Sequence, residues 1–173
     1  MSRYTGPTTK LSRREGKGDR SFTDKAARRL QVKPGQSQSN FRQKYSEYAI
    51  RLREKQKLKR IFGLTEKQFR NNYIKAAKQL GVTGNNLISN LERRLDNVVY
   101  RLGFLSSRSE ARQYVNHGHV LVNGKKVDIC SYIVSLDDEI GIREKSRDNV
   151  RIKSSLESVA RRGVPEWLEL DSE

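Results

Sequence analysis

Residues 106–126, SSRSEARQYVNHGHVLVNGKK, carry side chains that can bind a phosphate backbone. Ser107, followed three residues later by Glu110, forms a capping-box pattern that predicts the start of a helix. On this helix Arg108 and Arg112 are four residues apart and therefore share a face. The N–H groups of a first helical turn also attract phosphate. Cations on such well-specified local structure indicate an RNA-binding surface more than a merely solvated basic face.

A predicted hairpin adds further cations to this stretch. The Asn123-Gly124 pair stands between β-rich flanks, and a type I′ turn needs positive φ at both of its central positions. Lysines follow the turn, and histidines stand on either side of Gly118, which is predicted to end the helix. The local pattern assigns these residues to the surface: Arg108, Arg112, Gln113, His117, His119, Lys125 and Lys126.

Other chemistries are weaker alternatives in this sequence. His117 and His119 could ligate a metal, but no cysteine or acidic partner lies near them in sequence, which favours a role facing RNA or solvent. Residues 137–139 are consecutive carboxylates, and neighbours on a strand point to opposite faces, so they indicate a polar turn. Cys130 is the one cysteine and is expected to pack rather than to act as a nucleophile. We therefore predict no catalysis, no metal and no cofactor.

Three helices are predicted ahead of this stretch. A basic helix runs from about residue 42 to Gly63, a second begins at a Thr65–Gln68 capping box and ends at Gly81, and a third is continuous over residues 86–102. Their apolar stripes predict the buried residues. These are Tyr48 and Leu52 in the first helix, Phe69, Tyr73, Ala77 and Leu80 in the second, and Leu87, Leu91, Leu95, Val98, Val99 and Leu102 in the third.

The third helix and the short helix after Ser107 are expected to form a helix-turn-helix-like unit. Beyond the hairpin, YIVSLDDEIGIRE predicts one or two strands, and residues 150–162 predict a last helix. The expected inward residues are Ala111, Tyr114 and Val115 in the short helix, and Leu156, Val159 and Ala160 in the last. The cations Arg143, Lys145 and Arg147 either extend the RNA surface or are simply solvated.

The charge of the chain points to a polyanionic partner. Residues 1–62 contain 18 Lys/Arg and 5 Asp/Glu, whereas residues 63–173 contain 18 and 15, for a formal net charge of +16. Such an excess repels itself unless an anion neutralises it. No apolar run approaches the roughly 20 residues of a membrane-spanning helix. Residues 1–16 also lack a secretory or transit-like signal, so RNA is the expected partner rather than a membrane.

These elements predict an α+β, mostly helical fold in three parts. Residues 1–41, most of which read as loop, form a basic extended arm. Residues 42–90 form a helical lobe that residues 156–173 could complete. Residues 91–155 form a small RNA-binding lobe, built from the helix-turn-helix-like unit, the β-hairpin and a sheet.

The segment RLDNVVYRLGFLSSRSEARQYVNHGHVLVNGKKV, residues 94–127, closely resembles the small RNA-binding module named after small-ribosomal-subunit protein four. Residues 1–16, 51–69 and 165–171 resemble other parts of that ribosomal protein family in its bacterial form. The likeness covers most of the chain in order. It is therefore more specific than the module alone, which also occurs in pseudouridine synthases, tyrosyl-tRNA synthetases and stress proteins.

The resemblance implies a concrete role. Members of the family bind small-subunit ribosomal RNA at a multi-helix junction of the 5′ domain and help to start subunit assembly. They lie near the messenger entry channel and influence decoding accuracy together with neighbouring ribosomal proteins, and some repress translation of their own messenger. The resemblance thus implies a ribosome in a bacterial cytoplasm or in an organelle.

The resemblance also implies which residues face RNA. By motif position in the module they are Arg94, Ser107, Arg108, Arg112, Gln113, His117, Asn123, Lys125 and Lys126. The basic arm and helical lobe are expected to add Arg3, Tyr4, Arg13, Arg14, Arg51, Arg53, Lys55, Lys57 and Arg70, with Tyr4 able to stack on an unpaired base.

The sequence departs from the family in two places. Many members bind zinc through cysteines in the arm, and residues 10–40 contain none, so the chain resembles the zinc-free branch. Members also usually continue past the PEWLELD-like segment into further strands, whereas this sequence stops at Glu173, as either a truncated or a naturally short form would. Two rival functions are an enzyme carrying the module as an appendage and a stress factor or DNA-binding protein with a basic arm. The first leaves no length for a catalytic domain, and the near-full-length likeness argues against the second.

Overall fold

The computed structural model describes residues 4, 6–15, 34–35, 46–147 and 149–171, and for residues 157–162 the backbone only. Within these residues the chain forms eight helices and three short strands, which confirms the α+β, mostly helical class. It divides into two compact units, residues 1–69 and 70–173. The predicted domain boundaries stay a prediction. None of the helices, in the portion described, is long and apolar enough to span a bilayer.

The first unit contains α1 (Thr8–Glu15) and α2 (Glu47–Ile61). The prediction of loop over residues 8–15 is wrong, because the segment is helical and is tied to α2. The Glu15 carboxylate, which is almost completely buried, accepts hydrogen bonds from Arg53 at 3.3 Å and from Arg60. This long-range ion pair is invisible to a local pattern. The predicted loop over 16–33 and 36–41 lies outside the described residues.

The helices α2 and α3 (Glu66–Ala77) begin at caps. The hydroxyl oxygen of Ser46 accepts a hydrogen bond from the Ala49 N–H at 3.2 Å. The Thr65–Gln68 capping box is confirmed, with the Gln68 side-chain oxygen 3.1 Å from the Thr65 nitrogen and the Thr65 hydroxyl 3.5 Å from the Gln68 nitrogen.

The predicted apolar stripes of α2 and α3 are partly wrong. Tyr48, expected in the core, is 74% exposed, and Tyr73 is 52% exposed. In α3 the buried residues are Phe69 and Ala76, which are seven residues apart and therefore almost two whole turns along one face. Leu80 is fully exposed because α3 ends at Ala77, before it. The buried face of α3 is thus narrower than the four-residue spacing suggested.

The helix predicted over residues 86–102 is two helices, α4 (Thr83–Glu92) and α5 (Leu95–Leu102). Arg94 breaks the run with an extended backbone, φ −65° and ψ 136°, and pairs as an isolated bridge with Ile133. The Val134 N–H donates to the Arg93 carbonyl at 2.9 Å, and the Leu95 N–H donates to the Tyr132 carbonyl at 2.9 Å. The break therefore exchanges helical hydrogen bonds for contacts with residues 132–134.

Two helices, α5 and α6 (Arg108–Asn116), lie against a small antiparallel sheet in the second unit. Its strands are β1 (Val120–Val122), β2 (Lys125–Lys126) and β3 (Ile140–Ile142), in the order β2-β1-β3. Val122 pairs with Lys125 on one side and with Ile140 on the other. One buried core is formed by residues of α5, α6, β1 and β3, of the loops between them and of the chain after β3. It consists of Leu95, Val98, Val99, Tyr100, Leu102, Leu105, Ala111, Val115, Val120, Val122, Cys130, Val134, Ile142 and Ile152.

The predicted hairpin is confirmed. Asn123 has φ 50° and Gly124 has φ 74°, which are the positive values that a type I′ turn requires. Glycine adopts such a φ at no steric cost and asparagine tolerates it, so the Asn123-Gly124 pair fixes the turn and thereby the register of β1 with β2. One further strand, β3, forms after the hairpin.

After β3 the described chain continues with α7 (Glu144–Arg147), α8 (Val150–Arg162) and residues 163–171, which contain a turn and no helix or strand. The last helix is confirmed, with Ile152 buried and Leu156 partly buried against the core. The side chains of Val159 and Ala160, also predicted inward, lie outside the described residues. Leu168 and Leu170 of the final segment pack on the same core.

Candidate nucleic-acid interface

The N-terminus of α6 is capped as the sequence predicts, with one shift. The Ser107 hydroxyl accepts a hydrogen bond from the Glu110 N–H at 3.3 Å. The Glu110 carboxylate, however, returns to Ser106, accepting from its N–H at 3.3 Å and its hydroxyl at 2.7 Å. The cap fixes where α6 begins and so where its arginines point.

The three arginines of the module that are predicted to face RNA make hydrogen bonds to other side chains of the protein. Arg94 is buried and donates two hydrogen bonds to Asp96, at 3.0 and 2.8 Å. Arg112 donates two more to the same carboxylate, at 3.1 and 2.8 Å. Arg108 lies over the Tyr100 ring, 4.4 Å from its centroid, and donates to the Asn97 side-chain oxygen at 2.9 Å.

A second carboxylate, Glu92, organises the neighbouring side chains. It accepts two hydrogen bonds from Arg101, at 3.1 and 2.7 Å, and one from the Asn97 amide at 2.6 Å. Burial tends to raise the pKa of Glu92, but the hydrogen bonds from Arg101 and Asn97 outweigh it, so the pKa lies below its usual value. The Glu92 carboxylate is therefore ionised at pH 7, and Asn97 connects it to Arg108.

Five of the predicted residues are exposed on α6 and the hairpin: Gln113, His117, Asn123, Lys125 and Lys126. The Lys126 side chain lies across Gly118, whose φ is 73°, and a methyl group there would stand 2.1 Å from the lysine Cε. Glycine at 118 therefore allows both the helix end and the close passage of Lys126. The C-terminal end of α6 and the hairpin thus present their polar groups together.

Asn123, which is exposed, and His119, which is partly buried, both make hydrogen bonds to other residues of the protein. The Asn123 amide nitrogen donates to Asp138 at 2.9 Å, and its oxygen accepts from the Glu139 N–H at 2.8 Å. His119 stacks on Tyr114, with ring centroids 4.4 Å apart, and its Nδ1 lies 2.8 Å from the Ser146 hydroxyl. Burial, and then the charges of His117 and Arg143, lower the pKa of His119, which favours the neutral ring.

The two alternative chemistries find no support in the geometry. Asp138 accepts a hydrogen bond from the Ser135 N–H at 2.7 Å in a turn where Asp137 has φ 63°, as expected of a polar turn. That bond and the one from Asn123 lower the pKa of Asp138. In the described parts of the chain no three His, Cys, Asp or Glu side chains are grouped to hold a metal ion.

Cys130 is a buried packing residue. Its single S–H proton is shared between two acceptors, the Arg112 carbonyl oxygen at 3.2 Å from the sulfur and the Asn116 side-chain oxygen at 2.9 Å. Burial and the charge of Asp96 raise the pKa of the thiol to about 11. The thiol is therefore protonated at neutral pH and is a poor nucleophile.

Local patterning overlooked part of the exposed basic surface of the second unit. Arg101 has a side chain that is 37% exposed, and Arg151 on α8 is 78% exposed and 3.7 Å from Glu110. Arg143, Lys145 and Arg147, for which two readings were open, are also exposed. The signal for Arg151 was available, because it lies on the predicted last helix and off its apolar stripe.

The residues predicted in the first unit and at the start of the second differ in their contacts. Tyr4, Arg14 and Arg70 are exposed, and Arg13 is partly buried. Arg53 is held by Glu15, and Lys55 contacts Glu66. Arg51 pairs with Glu47 at 3.2 Å and Lys57 with Glu54 at 3.1 Å, and such exposed pairs are weak enough to exchange partners. Arg3 lies outside the described residues.

Comparisons with known proteins cover nearly the whole chain. Residues 3–92 match the family model of the ribosomal protein S4/S9 N-terminal domain, and residues 93–140 match the S4 domain. The chain is 58% identical to small ribosomal subunit protein uS4 of Pelobacter propionicus and 56% identical to that of Trichlorobacter lovleyi, in each case over 99% of this chain and 85% of the relative. It is 51% identical to uS4 of Natranaerobius thermophilus, over 100% of this chain and 86% of the relative.

Proposed function

This chain belongs to the uS4 family of small ribosomal subunit proteins, and from that premise we propose that it is a primary binder of small-subunit ribosomal RNA. As a family member it is a structural constituent of the small subunit of a bacterial ribosome and not an enzyme. The observation that carries the proposal is the match over the entire chain to bacterial uS4 proteins at more than 50% identity.

The exposed cations support RNA as the direct partner. On the hairpin and directly after β3, through the end of α7, the side chains of Lys125, Lys126, Arg143 and Arg147 are exposed. His117 and Gln113, which are exposed at the C-terminal end of α6, can donate or accept hydrogen bonds. Cations supply contacts to phosphates, and the neutral polar groups add finer contacts to sugars and unpaired bases. We assign this surface, with Arg14, Arg51 and Arg70, to RNA contact.

We also propose the finer parts of the role. The protein binds a multi-helix junction of the 5′ domain and nucleates subunit assembly. With neighbouring ribosomal proteins near the messenger entry channel it contributes to decoding accuracy, and the same surface can repress its own messenger. Residues 91–155 act as the RNA-binding module, 42–90 as a helical lobe and 1–41 as a basic arm.

Binding to full-length small-subunit ribosomal RNA and to an unrelated folded RNA of equal length, across a salt series, tests the primary role. We expect both affinities to fall with salt, because phosphate contacts release counterions, and the preference for ribosomal RNA to persist. Equal affinities that collapse together would mean that net charge alone explains binding, and the assembly role would have to be withdrawn.

Reconstitution separates the finer roles. Omitting the protein from an assembly mixture should block binding of proteins that join later, if it nucleates assembly. Adding it to a translation reaction programmed with its own messenger should lower that product and leave an unrelated product unchanged, if it is an autorepressor. A subunit that assembles at an undiminished rate without the protein would contradict nucleation.

A further inference from the structure

One buried carboxylate holds two of the arginines that the sequence places in the RNA surface. Asp96, in the first turn of α5, has a side chain that is 6% exposed, and those of Arg94 and Arg112 are 5% and 12% exposed. Its oxygens accept four N–H bonds, two from each guanidinium, at 2.8 to 3.1 Å. Bonds between ionised partners in such a desolvated place are strong and costly to break.

Asp96 connects α5, α6 and residues 130–134 of the second unit through its carboxylate and its backbone N–H. Arg94 lies at the break between α4 and α5 and bridges Ile133 through its backbone. The Asp96 N–H donates to the Cys130 carbonyl at 3.3 Å. Arg112 lies on α6, and its own carbonyl accepts from the Cys130 thiol at 3.2 Å. Asp96 thus ties α6 to α5 and to residues 130–134.

This tie sets which face of α6 is presented outward. Because Arg112 points inward to Asp96, the exposed residues of α6 are its neighbours Ser109, Gln113 and Asn116, with His117 at the helix end. A rotation of α6 about its axis would move these residues and Gly118, over which Lys126 passes. The position of the exposed polar groups therefore depends on a contact that lies beneath them.

We propose that Asp96 is a positioning residue of the RNA interface, and that Arg112 acts through it rather than as a phosphate ligand. The inference rests on the proposed RNA-binding function. Asp96 accepts from Nε and Nη2 of Arg112, and the Arg112 side chain is only 12% exposed. Moving its guanidinium out to a phosphate would therefore break these charge-assisted hydrogen bonds and leave part of the Asp96 charge unpaired. Lys125 and Lys126 are exposed already. Lys125 and Lys126 are therefore the cations that contact phosphate, whereas Arg94 and Arg112 hold α5, α6 and residues 130–134 together.

Substitutions at Arg112 test the idea better than substitutions at Asp96. Asp96→Asn would leave two buried guanidinium groups without their carboxylate, and that variant can fail to fold. Arg112→Met leaves Arg94 and Asp96 as a balanced pair and fills a similar volume. Arg112→Lys keeps the positive charge but cannot reproduce the two N–H bonds of the guanidinium. Thermal unfolding and far-UV circular dichroism establish that each variant is folded.

The salt dependence of binding to small-subunit ribosomal RNA distinguishes the two roles. A lost phosphate contact lowers the slope of log affinity against log salt by about one. We expect Arg112→Met and Arg112→Lys to weaken binding by a similar factor, of about tenfold or less, while the slope stays that of the parent. A phosphate ligand would behave otherwise: the Met variant would lose slope, and the Lys variant would retain both slope and affinity.

Lys126→Met is the matched control, since it removes an exposed cation from the same surface. It should lower the slope by about one. If Arg112→Met lowers the slope as Lys126→Met does, or if both Arg112 variants bind like the parent, the inference about Asp96 fails and the proposed RNA binding stands. If Lys126→Met changes nothing and ribosomal RNA is not preferred over unrelated RNA, the proposed function fails as well.

The parent protein offers a second readout that needs no variant. An arginine-specific dicarbonyl reagent followed by mass spectrometry compares Arg112 with Arg143, which is exposed. We expect Arg112 to react far more slowly than Arg143 without RNA, and RNA to protect Arg143 while the rate at Arg112 stays the same. Equal rates without RNA, together with protection of Arg112 by RNA, would overturn the inference.

Discussion

The arginines between residues 93 and 112 share a charge but not an environment. Arg94 and Arg112 share the buried Asp96, Arg101 forms a two-bond pair with Glu92, and Arg108 lies over the Tyr100 ring. Spacing correctly placed Arg108 and Arg112 on one side of a helix. The spacing could not reveal that Arg108 contacts Asn97 and that Arg112 contacts Asp96, because those contacts depend on how α5 and α6 pack.

The Glu92 carboxylate makes a prediction about pH. Its pKa is below the usual 4.5 in the folded protein, so the unfolded chain binds its proton first as the pH falls. The stabilisation by Glu92 is therefore complete well above pH 4.5 and is lost as the pH drops through the lowered pKa. Glu92→Gln should be less stable than the parent at pH 7 by about 1 kcal/mol, since the pair is partly open to solvent.

Urea unfolding of both proteins at pH 7 and near pH 3 measures this difference. The gap between parent and variant should shrink at the lower pH. Glu47→Gln is the control, because Glu47 pairs with Arg51 at the exposed start of α2. A gap as large near pH 3 as at pH 7 would contradict the assignment of charge to Glu92.

At the scale of elements, the sequence predicted those features that local chemistry decides. The capping box at Thr65, the helix start at Ser107 and the Asn123-Gly124 turn are each specified by residues at most three apart, and the structure confirms them. The break at Arg94 was not predicted, because the apolar stripe runs through it without a glycine or proline. A bridge to Ile133, 39 residues later, determines it.

The helical face of α3 shows the same limit. Phe69 and Tyr73 are spaced equally well for a buried stripe, yet only Phe69 is buried. Which of two adjacent faces is covered depends on the neighbouring elements. For the interface, the sequence therefore indicated the basic elements and their order, and the packing decided which cations are exposed.

Two glycines with open surroundings give a paired prediction for the elements. No atom lies within 4 Å of a Cβ added at Gly124 or at Gly84, so only backbone conformation distinguishes the two sites. Gly124→Ala should destabilise the second unit by about 1 kcal/mol, because its φ is 74°. Gly84→Ala, in the first turn of α4, should be neutral or stabilising by less than about 1 kcal/mol. Chemical unfolding measures both, and an equal loss at the two sites would contradict the turn assignment.

At the scale of the whole molecule, the charge of +16 acts in opposite directions on stability and on binding. Residues 1–62 hold 18 Lys/Arg against 5 Asp/Glu, and within the described part of this segment Arg53 and Arg60 share the buried carboxylate of Glu15. Self-repulsion therefore opposes folding of the isolated protein, and bound RNA removes it.

Raising salt from about 50 mM to about 500 mM should stabilise the isolated protein while it weakens RNA binding, since both effects come from screening. Thermal unfolding and an RNA titration in the same buffers measure the two trends. Sodium and potassium chloride should act alike at equal ionic strength. A melting temperature that falls with salt would show that attractive ion pairs outweigh the repulsion.

The Asn123-Gly124 turn is also a possible site of deamidation. An asparagine followed by glycine readily loses its side-chain amide, because the next backbone nitrogen can attack the side-chain carbonyl carbon. Here the amide is held at both ends, by Asp138 at 2.9 Å and by the Glu139 N–H at 2.8 Å. Deamidation would replace the donor with a carboxylate facing Asp138 and add negative charge beside Lys125. The two hydrogen bonds of the Asn123 side chain should therefore also slow its deamidation and so preserve the positive charge of the surface around Lys125.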